Sequence, residues 1–95
     1  MAAYLIAEQV VHDAAKFERY KNAVAPIIAR FGGEYLTKGE TRILAGAVWK
    51  PERTIIIRFP DMAALEGWWN APDYQPLKPL RDESATVMAL ALEGA

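Results

Sequence analysis

Thr54-Ile55-Ile56-Ile57-Arg58-Phe59 is the stretch on which the fold turns. Three consecutive β-branched isoleucines, closed by Pro60-Asp61, read as a strand. A strand with one face in water alternates apolar with polar residues, and this one does not. Ile55, Ile57 and Phe59 take one face and Ile56 and Arg58 the other, so both faces of the sheet need cover.

The flanking segments repeat the pattern. Tyr4–Val11 is a strand with Leu5, Ala7 and Val11 on one parity and Tyr4, Ile6 and Val10 on the other. Val87–Leu92 sets Val87, Ala89 and Ala91 against Met88, Leu90 and Leu92. Asp13 caps a helix over Ala14–Phe31, whose Phe17, Tyr20, Val24, Ile27, Ile28 and Phe31 fall within an arc of about 100°. Pro26 predicts a kink or two shorter helical pieces, and Gly32-Gly33 ends the helix. Glu34–Lys38 reads as a strand, Gly39-Glu40 as a turn, Arg42–Ala45 as a short return strand, and Gly46–Arg53 as a loop carrying Trp49. Asp61 caps a second helix, Met62–Asn70. Pro72 suits the start of a further helical piece, which Pro76 and Pro79 keep from being regular for long. The order is β-α-β-(β)-β-α-(short helix)-β over residues 1–95, an α+β class and one domain.

Right-handed crossovers put both helices on one face of the antiparallel sheet. The other face is apolar too. A second copy packing about a two-fold axis covers it with one self-complementary surface, so a homodimer through the open sheet face is expected. The alternative cover is the C-terminal residues or the Trp49 loop.

Composition narrows the function classes. The chain of 95 residues has no cysteine, which excludes disulfides, thiolate metal sites and thiol nucleophiles. Its net charge of −1 comes with no basic stripe, which argues against nucleic acid. No apolar run approaches a membrane span, and Glu8 interrupts the N-terminal one early, so no membrane partner and a cytoplasmic location are expected. One histidine builds no zinc site, and neither a metal nor any other cofactor is expected. No nucleophile elbow or phosphate loop is present.

Tyr4-Leu-Ile-Ala-Glu8, Asp13 with Phe17 and Tyr20, and Phe31-Gly-Gly-Glu-Tyr-Leu36 together resemble the domain-of-unknown-function 1330 (DUF1330) family. So do Ile57-Arg-Phe-Pro-Asp61, Trp68-Trp69, Ala71-Pro-Asp-Tyr-Gln75, Arg81 and Leu92-Glu-Gly94. The resemblance spans nearly the whole chain. It implies a ferredoxin-like fold in the dimeric α/β-barrel superfamily, in which two sheets pack face to face. The family has no agreed activity, so no residue role is carried over. Superfamily relatives include cofactor-free monooxygenases and isomerases. Pro76, Pro79 and Arg58, where the family more often has an acidic residue, depart from the pattern.

Several residues are candidates for chemistry. Glu8 and Arg58, read as facing the barrel on neighbouring parallel strands, form either a proton-moving and anion-orienting pair or a structural ion pair. His12, beside Asp13, is a general-base candidate or a solvated loop residue. Trp68 and Trp69 lie about 100° apart on their helix, so either one packs on the sheet while the other meets Tyr74 or Trp49 near a pocket mouth, or both serve ordinary core and interface packing. Tyr35 and Tyr74 offer hydroxyls to a ligand oxygen. Arg81 either recognises a carboxylate or pairs with Asp73 or Asp82. The functional readings left open are a metal-independent enzyme acting by proton transfer on a small aromatic or carboxylated compound, a binding or sensing module, and a dimeric scaffold.

Overall fold

The computed structural model describes residues 1–37, 39–46 and 48–95. Lys38, the end of the expected second strand, and Ala47, in the expected loop, lie outside them. Eight elements follow one another: β1 (Ala3–Val11), α1 (Ala14–Arg30), β2 (Glu34–Tyr35), β3 (Gly39–Glu40), β4 (Arg53–Phe59), α2 (Met62–Trp69), α3 (Leu77–Ser84) and β5 (Ala85–Glu93). The sheet order is β2-β4-β1-β5, antiparallel throughout, with β3 also pairing β4.

The helices cover one face. Ala3, Leu5 and Ala7 of β1 and Ile55, Ile57 and Phe59 of β4 are buried beneath Phe17, Tyr20, Val24, Ile27 and Ile28 of α1 and Leu65 and Trp68 of α2. Asp13 and Asp61 cap their helices as expected, accepting from Lys16 N at 3.0 Å and Ala64 N at 2.8 Å. Gly33 lets α1 close on the sheet, because a Cβ there would stand 2.4 Å from Ile28 Cγ2 and 2.9 Å from the Phe59 ring. Arg30 grips Asp73 with two bonds of 2.8 and 3.0 Å, tying the end of α1 to the α2–α3 connection.

Four local expectations are corrected. α1 runs unbroken through Pro26; the ring is exposed, so the Asn22 carbonyl it leaves free can bond water. α3 is a regular helix of 8 residues. Pro76 stands at its cap and Pro79 in its first turn, where backbone N–H groups have no intrahelical acceptor to lose. No strand forms at Arg42–Ala45, and Gly39-Glu40 is strand rather than turn. Between Tyr35↔Ile57 and Gly39↔Thr54 the edge advances four residues against three on β4, which marks a bulge. The Thr37 hydroxyl completes the edge there, accepting from Ile56 N at 3.0 Å.

The helix-free face carries Tyr4, Ile6, Glu8 and Val10 of β1, Ile56 and Arg58 of β4, and Met88, Leu90 and Leu92 of β5. Met88, Leu90 and Leu92 are 70%, 54% and 48% exposed. The Trp49 loop meets this face at Glu8, where Trp49 Nε1 donates to Oε2 at 2.9 Å. Among the described residues no helix is long and apolar enough to cross a membrane.

Candidate functional site

The helix-facing side of the sheet is not filled solid. A cavity of about 520 Å³ lies between β1, β4 and α1 and is closed at one side by Trp68, Trp69, Tyr74 and Arg81. That size suits a small ligand. Its floor is Leu5, Ala7, Ile55 and Ile57, and α1 adds Val24 and Ile28.

Polar groups enter this apolar space from several elements. Gln9 sits on the helix-facing parity of β1, is 6% exposed, and has a buried Oε1 without a partner among the described residues. Glu8 lies opposite Thr54, so the next rung of the antiparallel ladder sets Gln9 beside Arg53. Arg53 Nε and Trp68 Nε1 are likewise buried and unpartnered. Tyr35 turns to the same side through its pairing with Ile57.

The most connected group spans α1 and α3. Tyr20 Oη and Tyr74 Oη lie 2.8 Å apart, and Arg81 Nη1 donates to Tyr74 Oη at 3.2 Å. Arg81 turns its Nε and Nη2 to Asp82, at 3.0 and 3.4 Å. Lys78 Nζ lies 4.4 Å from the Trp69 ring centroid and the Arg81 guanidinium 5.3 Å from it. Trp68 stacks on Phe59 with centroids 5.6 Å apart and meets Tyr74 at 4.7 Å.

Burial first, and Tyr74 next, hold the Tyr20 phenol far above its ordinary value of 10.0. Tyr35 is half-exposed as a residue, yet it too is raised, first by desolvation and then by Tyr74. Burial pulls Arg81 down, but Asp82 and Tyr74 together outweigh it. These phenols are therefore donors rather than bases at neutral pH. A phenol raised above its unfolded value favours folding fully below pH 10.0, and that contribution is lost as pH climbs toward the folded value. Tyr20→Phe is expected to flatten the alkaline fall of the urea midpoint above about pH 10. Parallel curves for parent and variant would refute it.

Of the residues singled out from the sequence, Tyr35, Trp68, Trp69, Tyr74 and Arg81 line this cavity. Glu8, Arg58 and His12 do not. The expected Glu8–Arg58 pairing is corrected by the register: the strands are antiparallel, and Arg58 stands opposite Tyr4 on one side and Glu34 on the other. Arg58 is exposed on the helix-free face. His12 Nε2 is bonded to Thr86 Oγ1 at 2.7 Å, at the exposed end of β1. Trp49 lines a separate hollow with Thr41–Ala45, Pro51 and Thr54.

Gln9, Lys21, Arg53 and Tyr20 also line the cavity without having been singled out for it. The signals were present: Gln9 interrupts an apolar parity, and a phenol on a buried stripe needs a hydrogen-bond partner.

The sequence profile of a family described as "Domain of unknown function (DUF1330)" matches residues 2–95. No curated protein matches the chain. Among solved structures, the RPA0582 protein of unknown function from Rhodopseudomonas palustris superposes with a TM-score of 0.79 at 17% identity, over 99% of this chain and 82% of that one. A dimeric ferredoxin-like protein of unknown function from Jannaschia sp. CCS1 gives 0.69 at 17% identity, over 99% and 100%. SnoaB, a cofactor-independent oxygenase from Streptomyces nogalater, gives 0.66 at 18% identity, over 99% and 93%. At such identities the likeness establishes the ferredoxin-like fold alone.

Proposed function

This chain belongs to the DUF1330 family, a domain of unknown function, and from that premise we propose that it binds a small aromatic anion in the cavity between helices and sheet, as one half of a homodimer. The observation that carries the reading is the charge of the lining. Lys21, Arg53 and Arg81 are its cations, Tyr20, Tyr35 and Tyr74 its phenols, and among the described residues no carboxylate or imidazole lines it. Flat apolar and aromatic walls take a planar ring, and the cations favour negative charge on it.

The same lining speaks against proton abstraction by the protein. A general base works best with a value near the operating pH, and the phenols Tyr20 and Tyr35 are displaced upward from theirs. Holding and orienting an anion is what the groups suit. The likeness to SnoaB favours a second reading, cofactor-independent oxygenation. A substrate that arrives already deprotonated at its reacting centre needs no protein base for that step.

Naphthalene derivatives bearing anionic, neutral and cationic substituents test the binding reading. The anionic members are expected to quench tryptophan fluorescence and raise the melting temperature, and the cationic ones to do neither. Ala89→Trp, at the exposed rim of the cavity, should abolish the quenching in a folded chain. Equal binding by cation and anion would refute the reading. Ligand-dependent oxygen uptake would add the oxygenase activity.

The helix-free face supports the dimer. Its exposed Met88, Leu90 and Leu92 adjoin Ile6 and Tyr4, an apolar surface of the kind that monomers seldom present to water. The Jannaschia neighbour is described as dimeric.

A further inference from the structure

The Tyr20–Tyr74 pair can be counted proton by proton. Two phenols carry two protons, and the bond between them uses one. Arg81 only donates, so it takes neither. Among the described residues neither hydroxyl has a further acceptor, and the residues are 7% and 0% exposed. Whichever way the mutual bond runs, one O–H is left without an acceptor among the described residues, at the wall of the cavity, where water or a ligand oxygen can take it.

We propose that this surplus O–H is the specificity element of the cavity, selecting a ring compound by an ionised hydroxyl or enol oxygen (a phenolate or enolate) rather than by a carboxylate. The inference rests on the small-molecule reading of the cavity and names its ligand class. One donor matches one oxyanion. A buried carboxylate is best served by a guanidinium fork or several donors, and at this end the Arg81 fork is already committed to Asp82 and Tyr74. Arg81 thus acts through Tyr74 as a positioning residue: its charge polarises the Tyr74 hydroxyl and makes the pair a stronger donor. Arg53 supplies further positive charge, as does Lys21, which is paired with Glu18 at 3.3 Å, and among the described residues Asp82, exposed, is the one carboxylate paired with Arg81. Burial, with Tyr74 next, holds the Tyr20 phenol above its ordinary value, which keeps it a donor at neutral pH.

The count yields an unusual expectation. Tyr20→Phe and Tyr74→Phe each remove one proton and the mutual bond together, so each single variant still presents one O–H. Only the double variant presents none.

The probe is 4-nitrophenol, whose visible absorbance reports its ionisation, with 4-nitrobenzoate and 4-nitroanisole as companions. Binding is read separately from tryptophan quenching. On binding, the probe's ionisation midpoint should fall by about one pH unit, a tenfold preference for phenolate. Each single variant should keep part of that shift, and the double variant should lose it while its circular dichroism spectrum stays that of a folded chain. Should the double variant fail to fold, the parent alone decides: 4-nitrophenolate must bind at least tenfold more tightly than 4-nitrobenzoate and 4-nitroanisole. Equal binding of phenolate and benzoate, or a full shift in the double variant, overturns the inference and leaves the cavity reading standing. No quenching by any of the three probes overturns both.

Discussion

Phe59→Ala is expected to lower the unfolding free energy by about 3–5 kcal/mol, a large share of what a chain this size holds. Phe59 is fully buried, stacks on Trp68, and lies against the spot that Gly33 leaves free. Its ring joins the sheet to α2 and to the end of α1. Removing it costs the transfer free energy of the ring and also leaves a void, which close-packed neighbours fill only in part. Because Phe59 does not line the cavity, the loss belongs to folding. Urea denaturation followed by far-UV circular dichroism measures it. Phe59→Leu should recover more than half of the deficit, since most of the volume returns. A loss below about 1 kcal/mol for the alanine variant would mean that the helices hold the sheet by other contacts.

The second large effect concerns assembly. Ile6 and Leu90 face each other across β1 and β5 on the helix-free side. Leu90→Glu is expected to raise the dimer dissociation constant at least about a hundredfold, because a two-fold axis brings the new carboxylate in twice and each copy loses its water. Sedimentation velocity at micromolar concentration should show a dimer for the parent and a monomer for the variant. The circular dichroism spectrum should be unchanged, because Leu90 is more than half exposed within the subunit. A parent that sediments as a monomer, or a variant that stays dimeric, rejects this face as the interface. The result is independent of the cavity, which opens on the other side of the sheet.

Much of the fold was legible before any coordinates. The parity of Tyr4–Val11 and of Ile55–Phe59 placed Leu5, Ala7, Ile55 and Ile57 on one face, which is the face the helices cover. The narrow stripe of Phe17, Tyr20, Val24, Ile27 and Ile28 named the buried side of α1. Asp13 and Asp61 announced two helix starts. The misreadings at Pro26, Pro76 and Pro79 share one cause. A proline's effect depends on whether its missing N–H had an acceptor and on what its ring meets, and neither is local to the sequence.

The candidate site was legible only in part, for a related reason. Period-two patterning tells which face a side chain takes, but a strand slid by two residues keeps every face and changes every neighbour. Glu8 and Arg58 share a face and looked like partners on parallel strands, when the strands are antiparallel and the ladder sets Arg58 against Tyr4 and Glu8 against Thr54. By the same token Gln9 and Arg53 were not seen as neighbours, nor Tyr20 and Tyr74, which are 54 residues apart.

What the sequence determined by itself is which residues bury and in which order the elements follow, because burial is decided by each residue's own apolar surface and its place in a short period. What only the tertiary structure decided is which polar groups meet: the register of β1 on β4, the side of the sheet that holds the cavity, and the phenol pair with its surplus proton. Hydrogen bonds act over about 3 Å. Whether two side chains distant in the chain come that close is a property of packed elements and of no segment alone.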